Sequence, residues 1–345
     1  MPEPLAFLCT IVHPLPVVGN MYLLMRYGRS LCFAITEGLT MAIPKRPLGK
    51  TGVEVSMLGV GGAHLSKPEE PEAIRIVHAA IDGGVTFLDN AWEYGNGESE
   101  RRMGIALAGG DWRQRAFVMT KDCAHDRRAD HSMQKLEESL TRLQTDYLDL
   151  WQLHEVVWED DPERILAPGG SLEAMVRAKE QGKVRFIGFT GHKSPEIHRR
   201  LLTQGIPWDS VQFPLNVFDA HYSSFQHEIL PLCQEQGIGT LGMKSNASGH
   251  LQKSGCDITP EEALRYALGL EASVVISGMD SLDILHRNMA VADDFVPMSD
   301  EEIAVLLERS KPYAPHGTFE PFKTSHAYDG AEGRRAHDYP LDAAS

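Results

Sequence analysis

The fold is decided by the stretch PEAIRIVHAAIDGGVTFLDN, residues 71–90. Over 71–84, apolar side chains recur at helical spacing, and a glycine pair ends the run. Residues 86–90 form a short β-branched and aromatic run, which is typical of a buried strand. The stretch therefore predicts a helix that leads directly into a strand, the repeating unit of an α/β protein.

The same unit recurs along the chain. Buried strands are predicted at EVSMLGVGG (54–62), TFLDN (86–90), FVMTK (117–121), YLDLWQLH (147–154), VRFIGF (184–189), SVQFPL (210–215), IGTLGMK (238–244) and SVVISG (273–278). Helices are predicted between and after them at 71–84, 133–145, 171–183, 228–237 and 282–292. Eight strand–helix units in about 260 residues match the size and rhythm of a (β/α)8 TIM barrel.

A doubly wound sheet is the alternative fold class. Such folds usually carry GxGxxG after the first strand, and GVGGAHLS (59–66) lacks the third glycine at that spacing. A Walker loop at Gly49, Lys50 and Thr51 fails as well, because Pro44 occupies its first glycine position. We therefore predict a single-domain α/β barrel.

The composition narrows the class of partner. The 345 residues include 33 Lys and Arg against 48 Asp and Glu, a formal charge of −15. Because phosphate-backbone binding needs clustered basic residues, this charge disfavours nucleic acid and anionic membranes as partners. The cysteines contain no CxxC pair, which favours a reducing, cytoplasmic location; they are Cys9, Cys32, Cys123, Cys233 and Cys256. The sequence leaves the oligomeric state open.

The N-terminal region differs from the rest. Residues 4–25 are apolar and carry no formal charge, but Pro14 and Pro16 interrupt them and no positive charge precedes them. We interpret residues 1–40 as an upstream extension, either a misassigned start or a disordered segment, ahead of an ordinary N-terminus at Met41. A membrane-associating leader is the alternative interpretation.

The barrel is assigned to residues 41–310, and residues 311–345 form a C-terminal tail. The tail is punctuated by proline and glycine but keeps four aromatic residues, Tyr313, Phe319, Phe322 and Tyr328. Disordered segments are poor in aromatic residues, so we expect part of the tail to pack on the barrel.

Polar side chains fall at the ends of three consecutive predicted strands. Asp89 ends the second strand, Lys121 the third and His154 the fourth, and Tyr94 follows in the loop after Asp89. Barrel enzymes place their chemistry at these carboxyl ends. An adjacent ammonium favours a phenolate, so we expect Lys121 to lower the pKa of Tyr94, with Asp89 holding the lysine charged. His154 is then expected to hydrogen-bond a substrate oxygen and help polarise a carbonyl.

Five separated motifs strengthen this hypothesis: RPLGKTGVEVSMLGVGG (46–62), FLDNAWEYGNGESE (87–100), VMTKD (118–122), WQLHEV (151–156) and SGMDSLDILHRN (277–288). In this order they resemble the aldo-keto reductase superfamily over residues 46–310. The variants GFTGH, GMK and VVISGMDS are similar to a bacterial branch, some of whose members carry cysteine-rich tails that this chain lacks. The family's Asp, Tyr, Lys and His tetrad falls on the four residues named above. The resemblance implies that the tyrosine protonates a carbonyl oxygen while a nicotinamide supplies hydride to carbon.

The resemblance also places the nicotinamide against later strand ends. Thr190, Gly191 and His192 stand where many members have a Ser-Asn pair for the carboxamide, and Gln212 fits the matching amide. Met243 replaces a tyrosine that stacks on the ring, which would turn a π contact into a softer sulfur contact.

The phosphate end of the cofactor is expected after the eighth strand, where a helix start attracts anions. Lys244 is expected to approach the pyrophosphate. The further residues that the resemblance assigns to the cofactor are Ser277, Gly278, Met279, Asp280, Ser281 and Asn288. Asp280 and Asp283 are negatively charged like a phosphate and would repel it, and Arg287 is the only basic residue in this stretch. We therefore expect weak 2′-phosphate recognition. NADH should then compete well with NADPH, with Asp280 meeting ribose hydroxyls.

The leading functional hypothesis is an NAD(P)H-dependent oxidoreductase that reduces a small or sugar-like aldehyde or ketone to an alcohol, or runs the reverse reaction. The alternative is a cofactor-binding regulatory or scaffold subunit of the same fold with little turnover. The histidines form no HExxH motif and no HxH pair that opens the barrel, so no metal site is predicted. The loops 155–170, 218–226 and 311–330 offer Trp158 and Phe218 to a substrate but do not fix a pocket shape.

Overall fold

The computed structural model describes residues 26–27, 30–31, 43–293 and 295–336. The chain divides into two compact units, Met1–Thr40 and Met41–Ser345. In the first unit, β1 (Arg26–Tyr27) pairs antiparallel with β2 (Ser30–Leu31). The rest of the predicted extension, including residues 4–25, lies outside the described residues. No helix in the described part of the chain combines the length and apolarity needed to cross a membrane.

The second unit begins with a hairpin, β3 (Lys45–Pro47) and β4 (Glu54–Ser56), in which Arg46 pairs with Val55. The predicted strand over 54–62 was wrong in its first half, because β4 belongs to this hairpin and only Leu58–Gly61 enters the barrel. Ser56 explains the break. Its hydroxyl donates to the Leu58 carbonyl at 2.8 Å, which turns the chain between the two strands.

Eight parallel strands close into a barrel, with β10 and β9 completing the ring. They are β5 (Leu58–Gly61), β6 (Phe87–Asp89), β7 (Phe117–Lys121), β8 (Leu148–Leu153), β9 (Val184–Thr190), β10 (Ser210–Pro214), β11 (Gly239–Met243) and β12 (Val274–Gly278). The strands are almost wholly buried, as continuous apolar runs covered on both faces require. The predicted (β/α)8 TIM barrel is confirmed.

Helices surround the barrel. They are α1 (Glu70–Asp82), α2 (Glu98–Leu107), α3 (Trp112–Arg115), α4 (Ala129–Leu143), α5 (Asp161–Leu166), α6 (Ser171–Glu180), α7 (Pro195–Leu202), α8 (Phe225–Glu228), α9 (Leu230–Gln236), α10 (His250–Ser254), α11 (Pro260–Gly269), α12 (Leu282–Ala292), α13 (Asp300–Ser310), α14 (Pro321–Thr324) and α15 (Ala331–Ala336). The helix predicted at 282–292 is confirmed to the residue. Several connections carry two helices rather than the expected one, and the run 228–237 is divided at Ile229, just before Pro231.

The barrel interior is filled at the amino ends of its strands. Phe87 and Phe117, the first residues of β6 and β7, stack with ring centroids 5.0 Å apart. Leu48 and Val55 from the hairpin join the same buried cluster. The hairpin lies so close to the start of β11 that a Cβ at Gly49 would lie 2.4 Å from the Gly239 amide nitrogen. The hairpin therefore closes the amino end and leaves the carboxyl end for a site.

The tail packs over the opposite end. Phe322 is fully buried, and Phe319 packs beside Phe218 with ring centroids 6.0 Å apart. The Lys323 ammonium bonds the Asp219 carboxylate at 2.6 Å in a buried ion pair. A buried charge is stable only when it is paired in this way. Residues 311–336 thus form part of the compact second unit rather than a separate body.

Candidate active site

Four predicted polar residues meet at the carboxyl end of the barrel. Asp89 and Lys121 are the last residues of β6 and β7, and His154 directly follows β8. Tyr94 begins a short 3-10 turn after β6, and its ring meets the edge of the His154 ring with centroids 5.6 Å apart. Since parallel strands end at the same rim, the fold alone brings these side chains together.

Lys121 is the centre of this cluster. Its ammonium bonds the Asp89 carboxylate, the Asn90 carbonyl at 2.8 Å and the Tyr94 hydroxyl at 3.2 Å. Lys121 is 1% exposed and Asp89 3%, so the pair is shielded from water. The expected arrangement, in which a carboxylate orients a lysine against a phenol, is present in the structure.

The effect that we expected Lys121 to have on the Tyr94 phenol is not found. The pKa of Tyr94 is raised well above its ordinary value, first by burial and then by the negative charges of Asp89, Glu155 and Glu93. The pKa of Lys121 is itself lowered by burial, against the attraction of Asp89. The prediction that the ammonium lowers the pKa of Tyr94 was therefore wrong, because burial and three carboxylates outweigh one lysine. Tyr94 keeps its proton and is placed to donate it.

Glu93 is a neighbour that the sequence did not single out. Its carboxylate lies 3.5 Å from Nδ1 of His154 and 3.5 Å from Nε2 of His125. It also accepts a hydrogen bond from the Ala124 amide. Burial alone would raise the pKa of Glu93, but these three partners hold it at about 2. The pKa of His154 is lowered by burial, which Glu93 opposes. An anionic Glu93 therefore lies beside Nδ1 of His154. Its position directly before Tyr94 was the signal in the sequence that could have identified it.

A cavity of about 560 Å³ opens beside the tetrad. Asp89 and Tyr94 stand on its wall, and so do six of the predicted cofactor residues, namely Gln212, Met243, Lys244, Ser277, Gly278 and Asn288. The other six stand outside the described wall of the cavity, namely Thr190, Gly191, His192, Met279, Asp280 and Ser281. The side chain of Met279 is fully buried in the hydrophobic core and does not reach the cavity.

The cavity fits a nicotinamide cofactor on two observations. The side-chain oxygen of Gln212 is buried and accepts no hydrogen bond from any residue that the structure describes. A buried acceptor without a partner is costly, and the amide group of a carboxamide would supply the donor. At the other end, Asn288 bonds the Ser277 hydroxyl at 3.1 Å, and Ser281 caps the eleven-residue helix α12. The start of that helix favours a phosphate.

The charges at this end differ from the expectation. The Asp280 carboxylate lies 3.7 Å from the Lys67 ammonium and 3.5 Å from Nδ1 of His64, both in the loop after β5. Lys67, His64 and Arg287 also line the cavity. Arg287 was the only basic residue expected here, because His64 and Lys67 lie more than 200 residues earlier in the sequence, in the loop after β5. Asp280 is thus partly neutralised in the structure.

The chain is similar to known proteins over most of this unit. A profile of the Aldo/keto reductase family matches residues 57–262. Aldo-keto reductase YhdN of Bacillus subtilis (strain 168) is 29% identical over 207 residues, which are 56% of this chain and 59% of that protein. L-galactose dehydrogenase of Arabidopsis thaliana is 27% identical over 313 residues, which are 78% of this chain and 96% of that protein.

Solved structures share the fold. The aldo-keto reductase AKR11C1 from Bacillus halodurans in its holo form is 24% identical and superimposes with a TM-score of 0.65, covering 80% of this chain and 99% of that one. An aldo/keto reductase from Klebsiella pneumoniae, solved in complex with NADP and acetate, is 22% identical with a TM-score of 0.64. That match covers 77% of this chain and 94% of the other.

Proposed function

The chain belongs to the aldo/keto reductase family, and on that premise we propose that it is an NAD(P)H-dependent oxidoreductase that reduces an aldehyde or ketone to an alcohol. The observation that carries the proposal is the Lys121 ammonium, which bonds both Asp89 and the Tyr94 hydroxyl on the wall of one cavity. A proton donor beside a pocket of this size is what carbonyl reduction requires.

The residues of the chain divide the work. Tyr94 donates its proton to the carbonyl oxygen as negative charge develops there, and Lys121 stabilises the phenolate that remains. Asp89 holds Lys121 in place from the neighbouring strand. His154 lies edge-on to Tyr94 and orients the same oxygen. A bound nicotinamide supplies the hydride that the carbonyl carbon accepts.

Five residues are proposed to hold that cofactor. Gln212 would bond the carboxamide, Met243 would contact the ring, and Ser277, Gly278 and Asn288 would border the phosphates, since all five line the cavity. A structure of the same fold from Klebsiella pneumoniae holds NADP, which supports the proposal of a dinucleotide cofactor. For Thr190, Gly191 and His192 the proposal rests on their place at the carboxyl end of β9, where Thr190 is the register partner of Gln212 on β10.

We propose that the protein prefers neither NADH nor NADPH strongly. Asp280 disfavours a 2′-phosphate, while Lys67 and Arg287 favour it. We expect NADH and NADPH to bind with dissociation constants within about tenfold of each other, which corresponds to about 1.4 kcal/mol. Fluorescence titration of both cofactors measures this, and NADPH binding a hundredfold tighter would contradict it.

Turnover tests the activity itself. The loss of NAD(P)H absorbance is followed against a panel of small aldehydes and sugars, with wild-type protein and Tyr94→Phe. Loss of a general acid typically costs about 10²- to 10⁴-fold in rate, so the variant should lose at least a hundredfold in kcat. Tyr147→Phe, at a half-exposed tyrosine before β8, is the matched control. Equal rates with Tyr94→Phe, or cofactor binding without turnover on any carbonyl, would favour the scaffold alternative instead.

A further inference from the structure

The Tyr94 loop, residues 90–97, has a backbone that the loop alone does not explain. Directly after Tyr94, three consecutive residues adopt left-handed conformations, with φ of 59° at Gly95, 56° at Asn96 and 86° at Gly97. A non-glycine residue such as Asn96 rarely does so, and strained backbone persists only where the surrounding structure fixes it. The Tyr94 loop therefore needs contacts from other elements to keep its shape.

Helix α4 supplies such contacts in its second half. Arg142 donates from Nη1 to the Trp92 carbonyl at 3.0 Å, two residues before Tyr94. The Trp92 indole N–H donates to the Glu138 carboxylate at 2.7 Å. The Lys135 ammonium lies 4.2 Å from the centroid of the same ring. One helix thus holds both the main chain and the side chain of Trp92.

Arg142 also contacts the far end of the Tyr94 loop. A Cβ at Gly97 would lie 2.5 Å from the guanidinium carbon, so the guanidinium lies against the backbone there because Gly97 has no side chain. Nη1 of Arg142 also donates to Glu100 at 3.1 Å, in the first turn of α2. One guanidinium therefore bridges the residues before and after Tyr94, as its planar set of donors allows.

Glu100 connects this bridge to the strand that carries Lys121. Its carboxylate is fully buried and accepts a hydrogen bond from the Thr120 hydroxyl at 2.6 Å. Thr120 directly precedes Lys121 on β7. The Trp92 amide donates to the Lys121 carbonyl at 3.1 Å. The loop is thereby fixed relative to Lys121, whose ammonium lies 3.2 Å from the Tyr94 hydroxyl.

We propose that Arg142 is a positioning residue, which holds the Tyr94 loop so that the Tyr94 hydroxyl meets both Lys121 and the substrate carbonyl. Arg142 lies outside the described wall of the cavity, so it acts through the loop and not on the substrate. The inference rests on the proposed function, in which Tyr94 is the proton donor. A displacement of about 1 Å at a reacting group costs about a hundredfold in rate, so loss of the guanidinium should be seen in kcat.

The test replaces Arg142 by alanine and supplies the missing group as free guanidinium. In Arg142→Ala we expect kcat for the fastest aldehyde of the panel to fall about 10- to 100-fold. KM and the dissociation constant of NAD(P)H should change less than about threefold. Guanidinium chloride at a non-denaturing concentration should raise kcat of the variant at least about threefold, and methylammonium chloride at the same ionic strength should not. A kcat that guanidinium fails to raise would overturn the proposal.

Arg113→Ala is the matched control. Arg113 also donates to a main-chain carbonyl, that of Ala116 at 3.2 Å, and pairs with the buried Asp149 carboxylate at 3.0 Å. Its guanidinium lies 4.1 Å from the centroid of the Tyr147 ring, and these contacts are at the amino end of β7. Arg113→Ala should therefore lower the free energy of unfolding in urea and leave kcat within about twofold of wild type. Equal losses of kcat in Arg113→Ala and Arg142→Ala, or a loss that appears only in KM, would contradict a positioning role.

Arg142→Lys keeps the test decisive if the alanine variant does not fold. Lysine retains a cation beside the buried Glu100 carboxylate, but it lacks the planar guanidinium that reaches the Trp92 carbonyl at the same time. We expect kcat of Arg142→Lys to fall at least about fivefold. A kcat within about twofold of wild type would show that the charge alone is needed, and the proposal would then be wrong.

Failure of the proposed function is separable. If the wild type reduces no carbonyl, amide hydrogen exchange of the peptide spanning residues 91–97 reports on the loop without turnover. The Tyr94 and Asn96 amides both donate hydrogen bonds within the loop. Exchange that is at least about tenfold faster in Arg142→Ala than in wild type, but unchanged in Arg113→Ala, supports the positioning of the loop. Exchange that is the same in all three proteins overturns it.

Discussion

Replacing Lys121 by methionine should destabilise the barrel as well as stop its chemistry. The substitution keeps the length of the side chain but leaves the Asp89 carboxylate buried without its cation, since both residues are nearly inaccessible to water. The lost contacts are the bonds to Asp89, to the Asn90 carbonyl and to the Tyr94 hydroxyl. Breaking a buried ion pair by removing one partner costs about 3–5 kcal/mol, and we expect that loss for Lys121→Met.

The double variant Asp89→Asn, Lys121→Met separates the two roles. With both charges removed, no uncompensated ion remains, so we expect at least about 2 kcal/mol of the loss to be recovered as coupling between the sites. Urea unfolding followed by tryptophan fluorescence measures the free energy, and Lys253→Met is the control for the same substitution on the surface. The double variant should fold and still fail to reduce carbonyls. A loss below about 1 kcal/mol in Lys121→Met, or strictly additive effects, would refute the reasoning.

Three further outcomes follow from the same contacts. Glu93→Gln removes the anion 3.5 Å from Nδ1 of His154 and should lower kcat about tenfold and shift its pH profile, with cofactor binding unchanged; an unaltered profile would exclude this role. Asp280→Asn frees Lys67 from its ion pair, so titration should show NADPH gaining about tenfold over NADH, and an unchanged ratio would contradict the electrostatic argument. Burial raises the pKa of Asp122 to about 7, whereas in the unfolded chain this carboxyl group loses its proton at about pH 4. The free energy of unfolding should therefore fall as pH rises from about 4 to 7, by up to about 4 kcal/mol. Asp122→Asn should flatten that slope in urea unfolding across the window, whereas parallel curves would assign it elsewhere.

The barrel was predictable because its signal is local. Each strand is a buried run of a few residues between helical stretches, and FVMTK (117–121) matches β7 without adjustment. The tetrad followed, since the ends of parallel strands must share one rim. The first strand was not predictable in the same way. The Ser56 side chain ends one strand and the next begins two residues later, and this depends on a hydroxyl bond that spacing does not reveal.

The electrostatics of the site depend on residues far apart in sequence. Glu155 acts on Tyr94 only once β6 and β8 are in the same ring, so the direction of the Tyr94 pKa shift could not be obtained from the Lys121 pairing alone. Lys67 reaches Asp280 for the same reason, because the closed barrel places β5 beside β12. Residues that act through space across the closure of a ring are the part of a site that sequence spacing leaves undetermined.

The tightly held proton of Tyr94 has a consequence for direction. On the proposed function, oxidation of an alcohol would need the phenol ionised before it can accept a proton, and burial opposes that ionisation. Rates toward the alcohol should then be nearly level around neutrality, while rates toward the carbonyl should climb steadily into the alkaline range. The overall equilibrium constant is set by the substrates and products alone, and the protein does not change it. Initial velocities of carbonyl reduction and of alcohol oxidation, measured over a pH series, would show whether oxidation is much the slower direction at neutral pH.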